Sequence, residues 1–349
     1  MKRRQFCQAA AASLGGAMAG SSPFVFAGLN LAQAQEKRAL EVQLLGFVLG
    51  IQVPANAAIS EIMPEMAGYT APKITRVDQV RVVTQSMVGG AADIGTADLP
   101  TVLSATEAGA KLKIIGKMYD KTTHVLVANT ERIKSFEDLV KPGVTVSVGV
   151  RGEVSQIMLF EPLRKRGIDA NKATNVEMPG SGSRMNALLA GRIDATYMHF
   201  DQYASIPDQN KFKVLIEPWN EFSAWWHEVW VARAEWLEKP QNKRAAVDLM
   251  KANILAFRRA NSDFDWYLRM YQKYSSIKDA KTATAEALRP TWARMRNDIK
   301  AWPNDMSFTL EQAQGLMPAY KAAEATRGIA KAEDVVDTQY VVQALKELG

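Results

Sequence analysis

The sequence predicts an α/β fold of two lobes, followed by a helical C-terminal part. Three observations carry that reading. Between Val144 and Tyr203, short β-rich runs alternate with helical periods, a pattern that builds a parallel sheet covered on both faces. The stretch from Met87 to Thr96 is echoed from Leu188 to Tyr197. Each is a helix end, a Gly, then x-x-Asp entering a strand, with Gly90 matching Gly191 and Asp93 matching Asp194. Copies this far apart fit one α/β lobe each, not a solenoid. Beyond Ala232 the chain is almost wholly helical.

Taken in order, Leu40 to Phe47 alternates as a first strand, and Val53 to Met66 carries Ala57, Ile59, Ile62 and Met66 at helical spacing. After a loop from Gly68 to Pro72, Thr75 caps a helix with Val77, Val80, Val83, Thr84 and Met87 on one side. Gly89-Gly90 ends it. Ala92 to Thr96 is a strand whose exposed end is Ala97-Asp98. A helix covers Thr101 to Ala108, and strands follow at Leu112 to Met118 and His124 to Ala128. Ser135 caps a short helix, with Asp138 in the box position.

Val144 to Val150 is a strand broken by Arg151-Gly152-Glu153. The helical run from Ser155 to Arg166 contains Pro162, which kinks it, and Gly167 stops it. Asn175 to Met178 is a strand. Pro179 to Ser183 is a Gly/Ser loop rich in N-cap residues, opening a helix that presents Met185, Leu188 and Leu189. Ile193 to Met198 is the next strand. Phe212 to Ile216 and Glu228 to Ala232 are strands on either side of an aromatic loop, Pro218 to His227. Helical candidates then run around Val247 to Phe257, Phe264 to Tyr274, Ala285 to Lys300, Leu310 to Ala325 and Thr338 to Leu348. Pro290 and Pro303 punctuate them.

Residues 1–34 read as an export signal outside the fold. Lys2-Arg3-Arg4-Gln5-Phe6 is a positive start, Ala9 to Leu31 is weakly apolar, and Ala32-Gln33-Ala34 is a small-x-small cleavage site. The start resembles a twin-arginine signal, with Cys7 where a Leu is usual; the general secretion route is the alternative. Without this leader the net charge of +6 falls to about +3, spread without a basic run, which gives no basis for nucleic-acid binding. The one Cys is Cys7, so the mature chain would use no disulfide, thiol nucleophile or thiolate metal site. The 349 residues suffice for two lobes with sizeable cores.

In open α/β sheets ligands sit beyond the carboxyl ends of the strands. That rule singles out Arg151, Gly152, Glu153, Ser181, His199 and Asp201 as candidate ligand contacts; Phe47, Thr96 and Asp98, at the ends of first-lobe strands, are further candidates, Thr96 and Asp98 by the resemblance given below. Two of these loops open helices, whose unpaired N–H groups and partial positive charge suit a carboxylate, sulfonate or phosphate. Arg151 could pair with such an anion, and Ser181 offers a hydroxyl or its backbone N–H. Asp98 would repel an anion unless it holds a donor in place. Trp225, Trp226 and His227 suggest a flat or apolar ligand body gripped by stacking. With three His in all and none at metal-ligand spacing, no metal site is expected.

Several runs together resemble a known family: Gly89 to Gly95, Ala110 to Ile115, Ile133 to Leu139, Val144 to Gly149, Leu188 to Ala195, Val231 to Arg233 and Gln343 to Gly349. The set is similar to the periplasmic substrate-binding proteins of ABC importers, in the nitrate/sulfonate/taurine group that also includes thiamine-precursor binders. The resemblance implies a type II periplasmic binding protein fold, with two lobes joined by two hinge strands. It implies one lobe from 35–123 plus 229–349 and another from 124–228, closing over a ligand in the cleft. It also implies docking on an inner-membrane ABC permease, a periplasmic location, a monomer, no cofactor and no catalysis. From Met66 to Ile74 the sequence departs from the family pattern, which has a Gly-Leu-x-Val segment leading into a second strand.

The expected ligand is a small organic anion, an aromatic or aliphatic carboxylate or sulfonate. A thiamine-precursor pyrimidine is the alternative within the binding class. An exported enzyme is the alternative outside it, although the chain holds no dinucleotide fingerprint, cysteine ligand set or Gly-x-Ser-x-Gly elbow.

Overall fold

A computed structural model of the protein describes residues 37–66, 68–119, 121–178, 180–222, 226–306 and 308–349. The export signal with Cys7 lies outside the described residues, as does Trp225.

Among the described residues ten strands form two five-stranded sheets: β1 (Glu41–Leu45), β2 (Lys73–Val77), β3 (Ile94–Ala97), β4 (Leu112–Lys117), β5 (His124–Asn129), β6 (Thr145–Ser147), β7 (Thr174–Asn175), β8 (Ala195–His199), β9 (Phe212–Ile216) and β10 (Val229–Arg233). The first sheet runs β2-β1-β3-β10-β4 and the second β7-β6-β8-β5-β9. Both have the same plan. Three strands are parallel, and the fourth place is taken by a strand antiparallel to its neighbours, β10 in one sheet and β5 in the other. The chain passes from the first sheet to the second between β4 and β5 and returns between β9 and β10. This is the two-lobed α/β architecture that the alternating pattern predicts.

The sequence echo has a structural counterpart. Asp93 enters β3 with its N–H on the Glu41 carbonyl at the start of β1 (2.9 Å), and Asp194 precedes β8 with its N–H on the Thr145 carbonyl at the start of β6 (2.8 Å). Each Asp therefore sits at the same point of the same three-strand unit. In the first unit the helix Val80–Val88 lies so close to β3 that a Cβ on Gly95 would stand 2.7 Å from both Met87 and Val83, which is why the strand carries a glycine there.

One expected element is corrected. Thr75 does not cap a helix; residues 73–77 are β2, parallel to β1, and the helix begins at Val80. Ile74, Thr75 and Val77 are β-branched and suit a strand, while the apolar spacing from Val77 onward imitated a longer helix. This edge strand begins at the end of the segment where the sequence departs from the family pattern. The C-terminal part packs against the first sheet through the helix Pro240–Ser262, whose inner face buries Leu249, Met250, Ile254 and Phe257. Burying each such side chain contributes roughly 1.5–3 kcal/mol. This part also touches the second sheet. Arg294 pairs with Glu217 and lies 5.3 Å from the Phe200 ring and 5.4 Å from the Trp219 ring.

Candidate ligand-binding cleft

The carboxyl ends of β3, β6 and β8 face one another across the junction of the two sheets, and two aspartates tie them together. Asp98, the N-cap of the helix Leu99–Glu107, accepts the Thr101 N–H at 2.9 Å with one oxygen. Its other oxygen accepts the Val154 N–H, at the start of the helix Val154–Lys165, at 3.0 Å. Asp201, just past β8, accepts the Gly50 N–H at 3.1 Å from the opposite side. Burial raises the pKa of both carboxyls, and these N–H donors oppose the rise. Asp98 thus spends both oxygens on backbone N–H groups, so it serves the joint between the two sheets and leaves neither donor to a ligand.

All three histidines of the chain meet at this junction. The His124 and His199 ring centroids are 3.8 Å apart, and His227 stands edge-on to His124 at 4.8 Å. Each Nδ1 is engaged at 2.6 Å by a hydroxyl from the segment between β4 and β5: Thr122 for His124, Thr123 for His199 and Tyr119 for His227. His124 and His199 are buried, while His227 keeps a small exposed edge. Burial pushes all three pKa values down, and the Arg184 charge adds to the effect; His227 falls to about 3. The cluster is neutral at pH 7.

Arg184 is the cation of this cluster. It sits in the first turn of the helix Ser181–Leu189, which opens at Gly180 without a side-chain cap. The guanidinium is buried, donating to the carbonyls of Tyr197 (3.0 Å) and Met178 (3.1 Å). Desolvation lowers its pKa to about 10, with Glu153 pulling the other way. Among the described residues it forms no ion pair. A buried charge paired only with carbonyl dipoles leaves a site for an anion.

Several buried polar atoms near the cluster also have no well-formed hydrogen bond: Ser147 Oγ at the end of β6, Ser155 Oγ, the Trp226 indole N–H and Thr96 Oγ1, which lies beside the Glu228 carboxyl. Ser155 lies against Gly149, whose φ of +108° requires glycine and where a Cβ would collide with the serine hydroxyl. Glu228 is buried, bonded by Gln52 at 2.7 Å, and its pKa is raised by burial.

The expected contacts therefore divide. Thr96, Asp98, Glu153, His199, Asp201, Trp226 and His227 lie around the junction. Gly152 also lies there, but its N–H is taken by Gln156 at 2.9 Å. Ser181 is the half-buried first residue of the helix that carries Arg184. Phe47 is 46% exposed at the rim. Arg151 does not point into the cluster: its side chain is 66% exposed and ion-paired with Glu324, because its loop turns outward after β6. Sequence reasoning missed Gln52, Tyr119, His124, Ser147, Ser155, Arg184 and Glu228. A signal for Arg184 lay in its place, one turn inside the Gly/Ser loop already singled out.

Among the described residues no group of three or more His, Cys, Asp or Glu side chains is arranged to hold a metal ion. No described helix is long and apolar enough to cross a membrane.

The family model described as NMT1/THI5 like matches residues 74–252, just over half of the chain. The chain belongs to the NMT1/THI5-like family. No curated protein matches it. Solved structures share the NMT1/THI5-like chain's fold at low identity. A ligand-binding component of an ABC-type import system from Staphylococcus aureus, with zinc bound, is 15% identical with a TM-score of 0.69, covering 88% of this chain and 99% of its own. The alkanesulfonate-binding protein SsuA from Xanthomonas axonopodis pv. citri, bound to MOPS, is 14% identical with a TM-score of 0.66, covering 86% and 99%. The periplasmic nitrate-binding protein NrtA from Synechocystis PCC 6803 is 11% identical with a TM-score of 0.66, covering 90% of each chain.

Proposed function

We propose that this chain is the exported substrate-binding component of an ABC importer, which captures a small organic anion between its lobes and delivers it to an inner-membrane permease. The observation that carries the anion is Arg184, a buried guanidinium that forms no ion pair among the described residues and whose acidic neighbour, Glu153, is held toward its neutral form, beside three histidines held neutral. A carboxylate or sulfonate there would supply the missing countercharge and accept from the Ser147, Ser155 and Trp226 donors. The surrounding Tyr119 and Trp226 favour an aromatic body.

In this reading residues 124–228 form one lobe and residues 35–123 with 229–349 the other. They close on the two chain crossings, and closure draws its free energy from ligand contacts made by both. The leader directs the chain to the periplasm and is removed near Ala34. The protein acts as a monomer, without a cofactor and without catalysing a reaction. Family resemblance and the fold shared with import-system binding proteins support the role.

A thiamine-precursor aminopyrimidine is the second reading. The carboxyls of Glu153 and Glu228 in the same junction favour it, since they could accept from a cationic or amino-bearing ring. Calorimetric titration of the mature protein with benzoate, benzenesulfonate, taurine, nitrate and an aminopyrimidine separates the two. Binding of the acids alone supports the anion; binding of the pyrimidine alone overturns it.

A further inference from the structure

We propose that Glu153 enters the cleft as an uncharged acid that donates its O–H to the ligand's anionic group beside Arg184, so that capture of an ionised ligand takes up a proton. The inference rests on the anion reading above and adds a selection rule to it. Glu153 occupies the N-cap position of the helix Val154–Lys165, yet its side chain does not cap the helix. That duty falls to Asp98, which reaches across to the Val154 N–H. Freed from it, the carboxyl turns toward the junction, with Oε2 3.6 Å from where a Cβ on Gly149 would stand. Four charged or polar groups face it: Asp98 past β3, Arg184 from the helix Ser181–Leu189, Arg81 from the helix Val80–Val88 and the Val150 amide.

Burial and the Asp98 charge push the carboxyl up to about 7, against the pull of the amide and the two arginines. The histidines titrate well below that, so they stay neutral through the window in which Glu153 changes state. If only the protonated form accepts the ligand, affinity is full at pH 6 and falls about 30-fold by pH 8.5, approaching tenfold per pH unit.

The test is the pH dependence of Kd for benzenesulfonate, which stays ionised throughout, in the mature wild type and in Glu153→Gln, whose amide keeps a donor without titrating. The expected result is the 30-fold fall in wild type and a flat profile in the variant. Calorimetry at pH 7.5 in two buffers of different ionisation enthalpy should show uptake of about three-quarters of a proton in wild type and none in the variant. A flat wild-type profile, or the same slope in both proteins, overturns the inference and leaves the anion reading standing. Benzenesulfonate that fails to bind at any pH overturns the anion reading and this inference with it.

Discussion

The carboxylate of Asp98, at the end of a strand in the first sheet, accepts the backbone N–H of Val154, which opens a helix over the second sheet, at 3.0 Å. Asp201, past the matching strand of the second sheet, makes the reverse connection to Gly50 at 3.1 Å. Asp98 and Asp201 lie five and seven residues beyond the echoed pair Asp93 and Asp194. Each copy of the repeated unit thus sends one carboxylate to the backbone of the other side.

Asp98→Ala removes a helix cap and this cross-connection together. The expected loss is about 2–4 kcal/mol in urea unfolding, from two charge-assisted hydrogen bonds. Small-angle scattering should show a more open particle. Unfolding unchanged to within about 0.5 kcal/mol would mean that water replaces both bonds without cost.

Arg184→Lys keeps the charge but not the planar fork, and should weaken binding of an anionic ligand at least tenfold, the scale of one lost charged hydrogen bond at about 1.5–3 kcal/mol. Arg151→Ala, at an exposed pair, should change affinity less than about twofold. Calorimetry on both variants checks the contrast, and equal losses would return Arg151 to the site.

Acid should destabilise the folded chain through its histidines. Their folded pKa values lie below the unfolded value near 6.5, so the unfolded chain takes up their protons first as pH falls. The stability of the neutral cluster is therefore present above about pH 6.5 and lost below it. The raised carboxyls act in the opposite sense, so a difference measurement is needed. The stability of wild type minus that of His227→Gln should fall by about 1.4 kcal/mol per pH unit from pH 6.5 down toward 3. A difference constant with pH would place His227 in contact with water.

Ser155→Ala should act with opposite signs on stability and binding. The hydroxyl is buried without a partner, so its removal should raise the stability of the unliganded protein slightly, by up to about 1 kcal/mol, and its melting point with it. The same change should weaken ligand binding severalfold. A melting scan and a titration on one variant suffice, and lower stability with unaltered affinity would show that the hydroxyl serves the fold.

The fold was legible because its elements repeat locally: the Gly and Asp that open β3 and β8 mark the same joint twice, and period-2 runs mark the central strands. The edge strand β2 was not, since Val77 belongs to it while continuing the apolar spacing of the next helix. Candidate residues at strand ends were legible for the same topological reason. His124 was hidden as the first residue of an ordinary β run. Arg184 read as one basic residue on an amphipathic helix, and only the packing of Tyr197 and Met178 around it gives it a buried charge. Arg151, the more conspicuous cation, turns outward because its loop does.

The hydroxyls of Tyr119, Thr122 and Thr123 hold the imidazole cluster, and they belong to one of the two strips of chain that link the sheets. In the proposed reading, the joint about which the lobes turn would therefore also be a wall of the ligand site. A lineage that altered this wall to accept a new nutrient would alter the stiffness of its own joint in the same step. Divergence in diet should accordingly collect in the loops that open onto the cleft, while the joint stays fixed.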